Sequence, residues 1–220
     1  MNVAIDGPAG AGKSTIAKAI AAKKGYVYVD TGAMYRAMAL YFLRSGADLK
    51  NESEISKLAQ TVDVSLIYED GAQQVILNGE NVTGFIRTEE VGNSASTTSV
   101  YADVRTKLVS LQQKLAAGTD VVMDGRDIGT VVLPNADVKV YLTASVECRA
   151  KRRYDELTAK GENCDIKVIE TDIADRDYRD MNREISPLKQ ATDAILVDSS
   201  EMTIDEVVES IIELINKAEK

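Results

Sequence analysis

Residues 7–14 read Gly-Pro-Ala-Gly-Ala-Gly-Lys-Ser, a full G-x-x-x-x-G-K-[ST] pattern, and they join the apolar run Asn2-Val3-Ala4-Ile5 to a helical pattern over residues 14–24. Few folds accommodate that order. Glycines at both ends let the backbone curl until several N–H groups face inward, and the start of a helix adds partial positive charge. Such a loop cradles the phosphates of a nucleotide. Lys13 is placed to reach the β- and γ-phosphates and Ser14 to ligate Mg²⁺, so ATP and Mg²⁺ are expected on Gly7, Pro8, Ala9, Gly10, Ala11, Gly12, Lys13, Ser14 and Thr15.

Downstream, apolar strand-like runs alternate with helical patterns, which predicts βαβ units and a parallel sheet. Residues 14–24 carry Ile16, Ala17, Ile20 and Ala21 on one face and stop at Gly25, a natural residue just past a helix end. Residues 26–29 read as a second strand, followed by a helix over 33–44 ending before Gly46. A helix over 104–117 precedes a strand over 121–123, with further strands over 138–142 and 195–197. Thr203-Ile204-Asp205-Glu206 has the capping-box spacing and opens a last helix that carries Val207, Val208, Ile211, Ile212 and Ile215 inward. Residues 50–100 break this rhythm. Strands over 64–68 and 74–77 flank Asp70-Gly71, and Asn78-Gly79 follows, both hairpin signals, so a small antiparallel sheet is inserted into the parallel core, suited to covering a substrate. The expected division is a core of residues 1–45, 101–145 and 184–220, an insertion of 46–100, and a lid with flanking helices over 146–183.

At 220 residues the chain buries a sizeable core without staples. Cys148 and Cys164 form no C-x-x-C and the chain has no histidine, which removes zinc sites and disulfide frameworks. The strand begins at Asn2 with no charged leader before it, and no apolar run approaches membrane-spanning length, so a cytoplasmic protein off the membrane is expected. The net charge of −9 argues against nonspecific nucleic-acid binding. Seven of the eleven arginines nevertheless fall within 126–183, so local positive potential in a cleft coexists with an acidic exterior. No heptad seam is present, and a monomer is the expected state.

The chain contains no D-x-x-G, and its only Asn-Lys pair, Asn216-Lys217, is followed by Ala218-Glu219, which argues against a switch GTPase. Val121-Val122-Met123-Asp124 could be the carboxylate-ended strand of an ATPase, but Gly125-Arg126-Asp127 follows at once and sets a cation and a second carboxylate where open α/β sheets bind ligands. At the end of the second strand, Asp30-Thr31-Gly32-Ala33-Met34-Tyr35-Arg36 puts a hydroxyl at a helix start and an arginine one turn on, a second phosphate site. Two anion sites describe a phosphoryl-transfer enzyme whose acceptor is itself a phosphate. A monophosphate is already ionised near pH 7 and needs no catalytic base, in keeping with the missing histidines.

These segments, with Asp124-Gly125-Arg126-Asp127-Ile128-Gly129-Thr130-Val131-Val132 and Arg176-Asp177-Tyr178-Arg179-Asp180-Met181-Asn182-Arg183, resemble the signatures of the bacterial cytidylate kinases over essentially the whole chain. The resemblance implies a P-loop core with an enlarged monophosphate-binding insertion and transfer of the ATP γ-phosphoryl to CMP or dCMP. It implies that Thr31, Arg36 and Arg126 hold the CMP phosphate, that Ser96, Arg105, Asp127 and Arg183 read cytosine, and that Arg176 and Asp180 hold the sugar. Ser96 is one of several neighbouring hydroxyls and is favoured by its spacing to Arg105. A carboxylate facing the exocyclic amine suits cytosine, whereas uracil presents a carbonyl there; one mispaired polar group implies a preference of roughly ten- to a hundredfold. Arg149, Arg152 and Arg153 fall on one helical face, and the resemblance makes residues 146–166 a mobile lid with Gly161 and Asn163 at its tip, closing arginines over the transferring group. Lys13, Arg126, Arg152 and Arg153 are the expected catalytic cations. The alternatives are a shikimate-kinase-like enzyme with a hydroxyl acceptor and a silent nucleotide-binding regulator.

Overall fold

In a computed structural model, which describes residues 1–69 and 72–220, the N-terminal apolar run forms β1 (Asn2–Asp6) and leads through the glycine-rich loop into α1 (Lys13–Lys24) and β2 (Val27–Asp30). Next come α2 (Thr31–Arg44), α3 (Glu52–Thr61), β3 (Val64–Glu69), β4 (Ala72–Leu77), β5 (Glu80–Asn81), α4 (Glu89–Thr98) and α5 (Ala102–Gly118). The chain continues with β6 (Val121–Gly125), a π-helical turn (Ile128–Val132), β7 (Val138–Thr143), α6 (Val146–Ala159), α7 (Ile166–Asn182), β8 (Ile195–Asp198) and α8 (Ile204–Ala218). Two compact units result, one of residues 1–28 and 120–220, the other Val29–Thr119.

The first unit is built on a five-stranded parallel sheet in the order β2-β6-β1-β7-β8. β1 lies at its centre, paired with β6 from Asn2↔Val121 to Asp6↔Gly125 and with β7 from Val3↔Val138 to Asp6↔Tyr141. Val3, Ala4 and Ile5 are wholly buried, which is why the strand reads as a continuous apolar run and not as an alternation. Val3, Ile5, Val122, Val140 and Leu142 pack with Ile16 and Ile20 of α1 and Val207, Val208 and Ile211 of α8. α1 stops at Gly25, whose φ of 71° lets its N–H turn back to the Ala21 carbonyl. α8 opens with the expected capping box: Thr203 Oγ1 accepts from the Glu206 N–H and the Glu206 carboxylate accepts from the Thr203 N–H.

The second unit folds from one uninterrupted stretch. Met34, Met38 and Phe42 of α2 pack with Ile55 and Ala59 of α3, Val64, Val75 and Leu77 of the sheet, Val91 of α4, and Val104 and Leu108 of α5. Its sheet is antiparallel in the order β3-β4-β5, with Val64 opposite Leu77. The Asn78-Gly79 turn appears as expected, with φ of 49° and 84°, the positive pair a two-residue hairpin requires. Asp70-Gly71 lies outside the described residues.

Three features differ from the sequence reading. The unit boundaries fall at 28/29 and 119/120, where the sequence places them at 45/46 and 100/101, because α2 and α5 bury their apolar faces with the inserted elements. The insertion also contains two helices that sequence reasoning did not place. α3 starts at Asn51, whose side chain accepts from the Glu54 N–H, and α4 at Thr88, which accepts from Val91. Elsewhere β2 is shifted by one residue and the other expected elements run one to three residues longer at their ends, as helix and strand termini do.

Candidate active site

The glycine-rich loop turns at three positions that a side chain would resist. Gly7 has φ of 153° and an added Cβ would lie 1.9 Å from the Leu142 carbonyl oxygen, while Gly10 and Gly12 sit at φ of 77° and 86°. The loop thus curls between β1 and α1 with its backbone close against β7. Lys13, the first residue of α1, is buried and donates from Nζ to the Pro8 carbonyl at 2.7 Å. Burial and then the nearby charge of Arg126 pull it well below the ordinary lysine value, against the opposing pull of Asp124, Asp6 and Asp180. Ser14 Oγ donates to Asp124 Oδ2 at 3.0 Å, and the other oxygen of Asp124 accepts from the Tyr28 hydroxyl at 2.9 Å. A hydroxyl and a carboxylate on adjacent elements form an oxygen-only pair, the donor type that suits Mg²⁺. No group of three or more His, Cys, Asp or Glu side chains able to cage an ion occurs among the described residues.

At the carboxyl end of β6, Arg126 donates from Nε to Asp180 Oδ2 at 2.8 Å, and Asp127 stands 3.7 Å from the Arg183 guanidinium with both side chains about 6% exposed. Burial would push the Asp180 carboxyl up, but the charge and hydrogen bond of Arg126, with Arg176 and Arg183, hold it below the usual carboxylate value. Five of the expected acceptor residues, Arg126, Asp127, Arg176, Asp180 and Arg183, are therefore one electrostatic group.

Behind them, the Asp6 carboxylate accepts from the Ile128 and Gly129 N–H groups, each at 2.7 Å. Burial raises its pKa from 3.8 to about 6, opposed by those two bonds and by Lys13 and reinforced by Asp127. A raised native pKa means the folded chain holds its proton longer than the unfolded chain does. Stability therefore falls as pH rises from about 4 to about 6, by on the order of 3 kcal/mol from this group. Asp6→Asn should lack that slope, so its melting temperature relative to the parent should climb between pH 4 and 6.5. Parallel melting curves at both pH values contradict the assignment.

In the second unit, Thr31 is buried at the first residue of α2, which Asp30 caps by accepting from the Ala33 N–H at 2.9 Å. Arg87 pairs with the other oxygen of Asp30 at 2.5 Å, and Gln73 accepts from the Asp30 N–H, so the helix start is held from three directions. Gly32 leaves room for Arg36: a Cβ there would stand 3.3 Å from Arg36 Nη1, which lays the guanidinium back along the opening turn of α2. Thr31 and Arg36 thus share one helix N-terminus, as an anion site requires. Arg105 is buried on α5 with its guanidinium 5.6 Å over the Tyr35 ring and donates to the Ser99 carbonyl at 3.2 Å. Ser96 is half-buried on α4.

The family model for cytidylate kinase matches residues 3–217. The cytidylate kinase of Lactobacillus gasseri is 51% identical over 220 residues, covering 100% of this chain and 96% of that protein. The chain belongs to the cytidylate kinase family. The cytidylate kinase of Bacillus subtilis is 47% identical over 217 residues, 99% of this chain and 97% of that protein. Among solved structures, an uncharacterized protein from Eubacterium ventriosum superimposes with a TM-score of 0.53 at 12% identity, covering 98% of each chain. A gluconokinase from Sinorhizobium meliloti gives 0.50 at 15% identity, covering 99% of this chain and 93% of that one. These two likenesses concern the fold alone. Membership in the cytidylate kinases, which are nucleoside monophosphate kinases, sets aside the shikimate-kinase-like reading. No helix among the described residues is long and apolar enough to cross a membrane.

Within this cytidylate kinase fold the three arginines of α6 divide. Arg149 is not a lid cation. It is 3% exposed and ties the Ala9 carbonyl of the glycine-rich loop at 2.9 Å to the Ala144 carbonyl at 2.9 Å and to Asp177 of α7 at 2.6 Å. A helical stripe of arginines reads alike from sequence whether it faces solvent or a loop backbone. Arg152 donates to the Ser199 carbonyl at 2.7 Å, and Arg153, half-exposed, pairs with Glu156 at 3.0 Å. Gly161 takes a φ of 80° at the tip between α6 and α7, where the expected lid has its flexible end. Sequence reasoning did not place Asp124 beside Ser14, Asp6 under the turn after Arg126, or Arg149 against the Ala9 carbonyl. Of these three contacts only that of Asp124 had a readable signal, the carboxylate that ends an apolar run.

Proposed function

We propose that the chain transfers the γ-phosphoryl of ATP to CMP or dCMP, giving ADP and CDP or dCDP by in-line displacement. The observation that carries this reading is the proximity of two cations with different partners. Lys13 rises from the donor loop and Arg126 from the acceptor strand, and after burial itself the charge of Arg126 is the main influence lowering the Lys13 pKa. Two cations from opposite sides of the transfer, balanced in the free chain by Asp180, Asp124 and Asp6, can both act on one anion, and a phosphoryl group in flight is such an anion. Gly7 to Thr15 cradle the ATP phosphates, with Lys13 against the β- and γ-phosphates. Ser14 and Asp124 would hold Mg²⁺, which when bound neutralises phosphate charge and fixes the orientation of the chain of phosphates.

The acceptor is a monophosphate whose oxygen is largely ionised near neutral pH, so no side chain has to take a proton from it. By the family resemblance, Thr31, Arg36 and Arg126 are the residues that hold that phosphate. Asp127 accepts from the exocyclic amine of cytosine, while Arg183, Arg105 and Ser96 meet its acceptor edge, and Arg176 and Asp180 hold the sugar. Arg152 and Arg153 join the transferring group on exchanging Ser199 and Glu156 for phosphate oxygens. The protein acts as a monomer in this reading. A coupled ADP-release assay over CMP, dCMP, UMP, AMP and shikimate tests it: CMP and dCMP should be turned over, UMP should be roughly ten- to a hundredfold poorer in kcat/KM, and shikimate should give no release above background. Turnover of shikimate, or equal use of all the monophosphates, would overturn it.

A further inference from the structure

Two consecutive backbone amides, those of Ile128 and Gly129, converge on the two oxygens of a single side chain more than a hundred residues earlier, Asp6, at 2.7 Å each. Asp6 is 4% exposed, and a carboxylate is a costly group to bury. The amides it holds begin the π-helical turn that follows Arg126 and Asp127. On the other side of the same turn, the Asp127 carbonyl accepts from the Val131 N–H at 2.8 Å and the Val132 N–H at 3.2 Å. The Asp127 backbone is thus clamped by the turn it caps, and the turn is clamped by Asp6. Gly129 completes the seat: a Cβ there would come within 3.2 Å of the Lys139 side chain and 3.4 Å of Asp6 Oδ2. Lys139 cannot easily give way, because its Nζ is bonded to the Pro134 carbonyl and to Asp193.

We infer that Asp6 is a positioning residue for base selection, its carboxylate fixing the Ile128-Gly129 backbone so that Asp127 is presented to the pyrimidine at one height. This inference rests on the reading of Asp127 as the cytosine-facing carboxylate. Two donors aimed at two oxygens need a group that accepts at both ends, and only a carboxylate does so. An amide at position 6 would offer one acceptor and turn a donor toward the second N–H. The neighbouring charges act in opposite senses on the anchor. Asp127 repels Asp6 and Lys13 attracts it, so the anchor carries part of the electrostatic field in which Asp127 meets the base. Asp6 also immediately precedes Gly7, so the strand end that launches the donor loop is the one that sets the acceptor reader.

The test compares kcat/KM for CMP and UMP in the parent, Asp6→Asn, Asp127→Asn and the double variant, each checked for a cooperative melt. Expected are an erosion of the CMP/UMP ratio of about tenfold in each single variant and no further erosion in the double. Equal loss for CMP and UMP in Asp6→Asn, or an unchanged ratio there while Asp127→Asn erodes it, overturns the inference and leaves the Asp127 reading standing. An unchanged ratio in Asp127→Asn overturns that reading and this inference with it. If Asp6→Asn does not fold, Gly129→Ala, which presses on the same contact from the turn side, is judged by the same ratio.

Discussion

Lys13→Ala should lower kcat for CMP phosphorylation by about a thousandfold, the scale on which removing one preorganised transition-state charge acts. The environment of the side chain argues for so large an effect. Its Nζ is buried against the Pro8 carbonyl, so the stem is already oriented and does not lose freedom as the reaction proceeds. Burial and Arg126 disfavour the ammonium while the loop is without an anion. Phosphate charge reverses that balance, and the interaction strengthens as negative charge gathers on the transferring oxygens. Because the ammonium is destabilised in the free chain, its removal should leave the melting temperature unchanged or slightly raised. Steady-state kinetics with a parallel melting curve separates the two effects. Near-normal CDP formation by this variant would falsify the proposed chemistry.

Arg126→Ala should also cost about a thousandfold in kcat, but with a different signature. Arg126 holds Asp180 at 2.8 Å, and Asp180 is kept ionised chiefly by that partner. Its loss removes a charge from the acceptor phosphate and leaves a buried carboxylate with the weaker support of Arg176, Arg183 and Lys13. Breaking a buried pair from one side costs roughly 3–5 kcal/mol in comparable sites, so this variant should melt at a lower temperature as well as turn over slowly. Arg126→Lys should recover part of the stability and little of the rate, since an ammonium lacks the planar fork that spans phosphate oxygens. Equal recovery of both in Arg126→Lys argues against a bidentate role.

What the sequence made legible divides along the range of the interactions involved. The donor loop, α1, the capped start of α8 and the Asn78-Gly79 hairpin are each specified by residues within one or two turns, and each stands where it was expected. α4 was not legible because Gly92-Asn93-Ser94-Ala95-Ser96-Thr97-Thr98 has weak helix propensity, and the helix is fixed by burying Val91, Ser94, Ala95 and Thr98. α3 had a good cap in Asn51 but only Ile55 and Ala59 buried, a short apolar stripe beside strong hairpin signals. The site follows the same division. Ser14 and Arg126 were readable from motifs, but the bonds from Ile128 to Asp6, from Arg149 to Ala9 and from Arg126 to Asp180 span 122, 140 and 54 residues. They depend on which strands lie beside β1, and strand order is not encoded in local spacing. Arg149 is the instructive case: its one-face spacing with Arg152 and Arg153 was visible, while its destination under the loop required the fold.

The central place of β1 has a consequence for how the chain is made. Both of its partners, β6 and β7, lie beyond the inserted second unit, so the strand that carries the donor loop has nothing to pair with until residue 125 has left the ribosome, and lacks its second partner until residue 143 has followed. At ordinary rates of synthesis the wait for the first partner is roughly six to twenty-five seconds. During it the stretch Val29–Thr119, which is continuous, can close its own core while Val3, Ala4 and Ile5 stay exposed. The nascent chain therefore assembles from the middle outward, with its central strand waiting longest for cover.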